Sequence, residues 1–408
     1  MIFLKMAWRN VLRRPSRTLI TVSAIGFGLA LFVFLWALAD GFYAQLVDNS
    51  TGFYLGHIQV SARGFRVEYD PKLSLPQPER IADVLKSNNQ VQSFSPRIET
   101  QAFLNSAAKS TGVLLTGIDP ENEARVTVLS TAVKEGEYLG AEDGQSIILG
   151  KKLAEKLGVG VGEKLVVTVS AADGTLAQEA FRVKGILETG IESFDNYFAF
   201  VTLKGAQRIL ALENNVTSFV AALKDKTLAD KTSQELKTAL GQDRYDIQTW
   251  EEIMPILVQM IGLFNLVLNI ILGIVFVVIA IGIANTIMMS VIERTREFGI
   301  VMAIGTKGSQ VVRLIIFETV FLGLFGVLLG NAAGSLLISI FGKFGLNLSG
   351  LAPSLKTLPG AMAVIYPKIV LQHLVIPSLI LFAVTVIIAF YPSMKAARLK
   401  PVEAIRFV

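Results

Sequence analysis

Apolar and polar positions divide this chain into four uncharged blocks and the segments that join them. The first block, Thr18–Ala39, carries no charge. A stretch of about 20 apolar residues crosses a hydrocarbon core of about 30 Å. From Asp40 to Glu252 the pattern changes: charges, glycines and turn signals separate short alternating runs. HIQVSARG, GVLLTGID, KLVVTVS and FRVKGIL predict strands, while PERIADVLKS, GKKLAEKLG and LADKTSQELKTAL predict amphipathic helices. Residues 40–252 therefore predict an α+β domain outside the bilayer. Strand signals crowd near residues 146–200 after one short helix, which predicts a β-rich subdomain there.

The block 253–292 contains no Asp, Glu, Lys or Arg. As one helix it would extend about 60 Å, twice the hydrocarbon thickness. Two hairpinned spans would need a turn, yet the only proline is Pro255, near the start. One long helix projecting beyond the outer leaflet is the better account. Gln259, Asn265 and Asn269 then lie toward its outer half, where a second subunit could shield them. Spans three and four are expected at 314–342 and 369–392, separated by an outer loop, 343–368, rich in Gly, Pro and Ser. The fold class expected is a membrane α-helical protein with four transmembrane helices and a large α+β domain inserted between helices 1 and 2.

Charge orients these spans. Lys5, Arg9, Arg13, Arg14 and Arg17 precede span one, placing residues 1–39 as a cytoplasmic amphipathic segment followed by the first span. Arg294, Arg296, Lys307 and Arg313 put the segment 293–313 inside. Lys395, Arg398, Lys400 and Arg406 do the same for the tail 393–408, so both ends are expected in the cytoplasm. A cleaved leader is the competing reading of the start, because Ala37-Leu38-Ala39 resembles a cleavage site. Its apolar region would span about 7–15 residues, shorter than this one, so a retained helix is expected.

Composition agrees with a membrane protein: 52% of residues are hydrophobic and 17% charged. A soluble chain has about 25% charged residues. The net charge of +5 lies beside the apolar blocks and forms no basic domain, which argues for orientation in a bilayer and against a nucleic-acid partner. Cysteine is absent, and His57 and His373 lie far apart in sequence, so thiolate chemistry and a histidine metal cluster are not expected.

No GxxxxGK[ST] run is present, and Gly158, Gly160 and Gly162 fit turns before a strand better than a phosphate cradle. ATP hydrolysis, if used, must come from another chain. Within the spans only Glu318 is charged, near the inner end of span three, where a capping or interhelical role is expected. With so little intramembrane charge, an ion-coupled pump is disfavoured. His373 is expected at the interface, and His57 at a strand start. Glu121 with Glu123, and Glu192 with Asp195 near Tyr197, are carboxylate pairs expected on solvated turns, without a catalytic role.

The densest charge lies in MMSVIERTREFGIVMAIG, residues 288–305. Glu293 and Arg296 are three apart, so on a helix they are neighbours worth about 0.2–0.5 kcal/mol. Glu293 and Glu297 are four apart and repel by a similar amount. Phe298, Val301, Met302 and Gly305 follow helical spacing and predict a short apolar ridge, with Gly299 and Ala303 beside it. Two readings stay open on physics alone: a helix built to dock on a protein, and an ordinary interfacial loop.

ERTREFGIVMAIGTKGSQVVRLIIFE resembles the signature cytoplasmic segment of permeases in the macrolide-exporter and lipoprotein-release superfamily, the type VII ABC transporters. WRNVLRRPSRTLITV, SIILGKKLAEKLGVGVGEKLVV and YPSMKAARLKPVEAIRF are similar to other elements of that family, so the resemblance covers essentially the whole chain. It implies a bacterial inner-membrane permease with its large domain in the periplasm. It also implies a dimer with a second permease subunit, the same chain or a paralogue, on a cytoplasmic ABC ATPase dimer that binds ATP and Mg. No cofactor is implied in this chain. The ATPase-coupling segment it implies carries Glu293, Arg294, Thr295, Arg296, Glu297, Phe298, Gly299, Met302 and Gly305. The implied mechanism is mechanotransmission: ATPase closure moves this segment, and a stalk carries the motion outward.

GFYAQLVDNSTGFYLGHIQVSARGF looks closer to the lipoprotein-releasing branch, which implies lipoprotein cargo drawn from the outer leaflet and a periplasmic acceptor. Export of a peptide or small molecule through an outer partner is the alternative. A scaffold regulating an extracellular hydrolase is the third, and the size of the 40–252 domain argues against it.

Overall fold

The computed structural model describes residues 2–13, 15–75, 77–241, 244–348, 350, 364–398 and 404. Most of the expected outer loop 343–368, and Lys400 and Arg406 of the tail, lie outside the described residues. The chain forms two compact units, one centred on the long helices and one built chiefly from residues 44–260.

In the first unit an entry helix, Ile2–Arg13, precedes the first-span helix, Pro15–Ser50. The second-span helix is continuous over the 39 residues Pro255–Glu293. A short linking helix, Thr295–Ala303, leads to the third-span helix, Gly308–Phe344, and the fourth-span helix is Leu371–Ala397. Four of these are long and apolar enough to cross a membrane. Ile25, Leu29, Val33 and Ala37, spaced four apart on the first span, are buried with Ile283, Ile287, Ile338, Leu381 and Ala389. Residues four apart share a helix face, so one stripe of the first span meets the other three spans. Packing there is close: a Cβ on Gly330 would lie 2.7 Å from Leu29 Cβ and 2.8 Å from the Gly26 carbonyl oxygen. The series Gly326, Gly330, Gly334 lets helix backbones approach where no hydrophobic force drives them together.

Among the described residues the second unit holds ten strands: β1 Ile58–Ala62, β2 Val91–Asn105, β3 Ser110–Ile118, β4 Val133–Gly136, β5 Ser146–Gly150, β6 Lys164–Ser170, β7 Leu176–Leu187, β8 Phe198–Thr202, β9 Ser218–Leu223 and β10 Tyr245–Thr249. The first half of β2 pairs with β9, which pairs with β1, which pairs with β10. The second half of β2 pairs with both β3 and β6. Since β3 pairs with β8, β8 with β5, β5 with β7 and β7 with β6, those six strands close on themselves. The β-rich subdomain expected near 146–200 is therefore not self-contained: its strands close only with β2 and β3, which lie outside that range. Closure removes exposed strand edges, and β2 is long enough to serve both parts. Leu104, Val113, Leu115, Ile147, Leu149, Leu165, Val167 and Phe181 are buried in a core continuous with Ile58, Val60 and Ile247 on the other strands. The helices Pro78–Ser87 and Ala229–Leu240 cover this core with Ile81, Leu85, Leu236 and Leu240.

Charged groups lie inside this unit. Asp119 caps the helix Pro120–Val126, accepting from the Glu121 and Asn122 amides, and Pro120, Glu123 and Val126 share its buried face. The expectation of a solvated Glu121–Glu123 pair is corrected: Glu123 is wholly buried and bonded to the equally buried Arg97, Nε to Oε2 at 3.1 Å. Arg97 also donates to the Tyr54 carbonyl at 2.6 Å and lies over that ring. Neighbouring Glu99 accepts from the Tyr54 hydroxyl, from Ser218 at 2.9 Å and from Arg66 at 3.4 Å. Burial opposes ionisation of Glu99, yet Arg66 and Arg97 outweigh it and hold the carboxyl below its ordinary range. Asp195, also expected on a solvated turn, is buried and accepts from the Thr189 amide and hydroxyl.

Candidate functional site

The linking helix begins where the second span stops. Arg294 leaves helical geometry (φ −106°, ψ 10°), so the chain breaks between Glu293 and Thr295. Across the break Arg294 pairs with Glu297, an i,i+3 ion pair at 3.1 Å. Gly305 ends the segment with φ +104°, its amide donating to the Met302 carbonyl at 3.1 Å, and the Ile304 amide donates to Ile300. A left-handed residue after a helix closes its last carbonyls, and glycine adopts that conformation without strain.

Burial sorts the expected coupling residues. Thr295, Phe298 and Gly299 are buried, while Glu293, Arg296, Glu297 and Gly305 are exposed. Phe298 packs with Val291, Val311, Ile315 and Ala396, and half-buried Met302 joins them. The expected exposed ridge of Phe298 and Met302 is therefore corrected: that face holds the helix against the third and fourth spans. The large apolar residues left outward are Ile300, 47% exposed, and Ile304, 80% exposed. With Arg296 they are spaced four apart and lie on one side of the segment.

Arg294 is the charged centre. Its Nη1 donates to both Glu318 oxygens, at 2.9 and 2.8 Å, its Nε to Glu297, and its guanidinium lies 5.0 Å from the Phe298 ring. Burial opposes the charge, but Glu318 and Glu297 outweigh it and raise the guanidinium pKa further. Glu318 also accepts from Asn10 Nδ2 of the entry helix at 2.5 Å. The interhelical role expected for Glu318 thus has two named partners. A polar cavity of about 300 Å³ adjoins them, lined also by Arg13, Thr21, Thr286, Ser290 and Thr319. Asn10 was missed in the sequence because a lone asparagine on an amphipathic helix reads as surface.

His373, expected at the interface, is buried among the helices: Nε2 lies 2.7 Å from Asp40 Oδ2, and the ring packs on Trp36. His57 accepts the Leu223 amide at Nδ1, 2.8 Å away. Among the described residues no group of three or more His, Cys, Asp or Glu converges to hold a metal ion.

The model of the MacB-like periplasmic core domain matches residues 18–239, and that of the FtsX-like permease C-terminal domain matches residues 269–401. The chain is a permease of the type VII ABC transporter family. It is 24% identical to the lipoprotein-releasing system transmembrane protein LolC of Xylella fastidiosa (strain Temecula1), over 95% of this chain and 93% of that protein. Its identity to LolC of Neisseria meningitidis serogroup B is 22%, over 96% of this chain and 94% of the relative. It is 25% identical to the macrolide export ATP-binding/permease protein MacB of Nitrobacter winogradskyi, over 96% of this chain but 58% of that protein. The permease thus has four membrane-spanning helices with a periplasmic-type core domain between the first two. The linking helix falls inside the permease C-terminal match.

Proposed function

We propose that this permease is the membrane subunit of an ATP-driven machine that extracts lipoproteins from the outer leaflet of the bacterial inner membrane. The observation that carries the reading is end-to-end similarity: the LolC relatives align over 93–94% of their own length. Apolar span surfaces suit acyl chains, and extraction by mechanical work needs no ion path through the spans. A periplasmic acceptor would take the released protein. Export of a peptide or small molecule is the second reading, favoured by the MacB relatives at 25% identity.

The coupling role is assigned to residues 293–305, with both chain ends in the cytoplasm. Phe298, Gly299 and Met302 seat the linking helix on the third and fourth spans, supported by the Phe298 cluster. Arg296, Ile300 and Ile304, flanked by Glu293, Glu297 and Gly305, present its outer face to a cytoplasmic ATPase dimer that binds ATP and Mg. A second permease subunit completes the machine. Closing of the ATPases then displaces the linking helix, and the continuous second-span helix carries that displacement toward the periplasmic domain.

The test is release of triacylated lipoproteins from proteoliposomes containing the permease and its ATPase, with soluble acceptor present. ATP-dependent release is expected, and none across a lipoprotein panel refutes the lipoprotein reading. Copurification of a periplasmic adaptor with an outer-membrane channel would support the second one. For coupling, Ile300→Asp with Ile304→Asp should lower ATPase copurification at least fivefold, since buried apolar anchors dominate interfaces. Undiminished ATPase binding would refute docking on this face.

A further inference from the structure

The break at Arg294 raises a mechanical question. The second-span helix stops at Glu293, and one non-helical residue, Arg294, joins it to the linking helix. The side chain of Arg294 makes a further tie. It reaches back to Glu297 on the linking helix and across to Glu318 on the third span. Glu318, 8% exposed, turns one carboxylate oxygen to Asn10 at 2.5 Å as well. The entry helix is fixed nearby by Trp8, whose ring lies 5.3 Å from Phe321 and 5.7 Å from Phe325. One buried carboxylate therefore joins three helices. A buried ion pair keeps its partners together because separating them strands a charge, and the polar cavity beside it leaves room for the joined groups to shift together.

We infer that Glu318 is a positioning residue for ATP-driven transport, tying the linking helix through Arg294 to the entry helix through Asn10, so that ATPase closure moves the entry helix and, with it, the first span. This rests on the coupling role proposed for residues 293–305. Asn10 belongs to the same device. The chain has no cysteine, so one introduced cysteine reports one position.

Leu12, on the entry helix and 59% exposed, is suited to an environment-sensitive fluorophore through Leu12→Cys. In the full permease–ATPase complex, a non-hydrolysable ATP analogue should shift the fluorescence of this label. In Glu318→Gln, which keeps the side chain's shape and loses its charge, the shift should fall at least about fivefold, the scale of an ordinary coupling energy, while the ATPase stays bound. Asn10→Leu leaves the Arg294–Glu318 pair intact and should lose the shift likewise. A purely structural role would lower thermal stability without separating the shift from assembly. A shift of wild-type size in either variant overturns the inference, and if Glu318→Gln does not assemble, Asn10→Leu decides alone. Because the readout is fluorescence with the ATPase bound, its failure leaves docking standing. Loss of docking in the Ile300 and Ile304 variants is scored separately.

Discussion

Adding one methyl group at Gly330 tests how closely the first and third spans pack. An alanine Cβ there would lie 2.7 Å from Leu29 Cβ, 2.8 Å from the Gly26 carbonyl oxygen and 3.0 Å from Leu29 Cδ2. Carbon atoms rest about 3.5–4.0 Å apart, so the helices must separate by nearly 1 Å or bend. Two of these neighbours are backbone or Cβ atoms, which no rotamer change moves. Gly326 is as tight, its Cβ falling 2.6 Å from Ile25 Cβ, and a β-branched side chain on a helix has one dominant rotamer. Overpacking costs about 1–3 kcal/mol, and replacing a helical glycine by alanine returns up to about 1 kcal/mol. Gly330→Ala and Gly326→Ala should each lose about 1–2 kcal/mol net. At Gly334 the nearest atom is Val33 Cγ1 at 3.2 Å, so the alanine variant should be near neutral. At Gly282 nothing lies within 4 Å, and Gly282→Ala should gain up to about 1 kcal/mol. Thermal unfolding midpoints of the four detergent-purified variants provide the comparison. Equal shifts at all four positions, or Gly282→Ala as damaging as Gly330→Ala, would refute this account of the packing.

Two further outcomes concern the periplasmic domain. Arg97→Met leaves Glu123 buried without its partner and should cost about 3–5 kcal/mol by denaturant unfolding, whereas Arg97→Met with Glu123→Leu should recover a good part of that loss. No recovery in the double variant would show that the pair's charge is not the cause. Burial, followed by the charge of Lys226, holds the His57 pKa below its ordinary value, against a smaller opposing effect of Asp48. The folded state then takes up the proton less readily than the unfolded chain. Stability from this group is complete above about pH 6.5 and declines as pH falls from there toward the folded pKa. The thermal midpoint should therefore drop between pH 7 and 5 by more in the wild type than in His57→Gln, and identical profiles would dismiss the histidine.

Much of the architecture was legible because burial in a bilayer leaves a simple mark. Thr18–Ala39 and residues 253–292 lack charge because lipid cannot solvate it; the first lies within the helix Pro15–Ser50, and the second is helical as one piece only from Pro255, after a break at Met254. PERIADVLKS read as amphipathic, and its helix buries Ile81 and Leu85. The candidate site was less legible. The apolar spacing of Phe298 and Met302 marks a face that must be covered, but spacing does not say whether a partner protein or the chain's own spans cover it. Val311, Ile315 and Ala396 do so, and the outward apolar positions are Ile300 and Ile304. Glu123 looked solvated for a related reason: its partner Arg97 is 26 residues away, on a strand that only the fold brings beneath the Pro120–Val126 helix.

By itself, the amino-acid sequence determined what local physics controls: which segments can lie in lipid and which alternate as strands. Only the tertiary structure decided which strands close together, with β2 shared between two parts of one sheet, and which carboxylates are buried. It also decided that Asn10, Arg294 and Glu318, far apart in the chain, meet at one carboxylate. Helical and strand periods are set by neighbouring residues, whereas pairing and burial depend on chain closure over long separations, which local pattern does not encode.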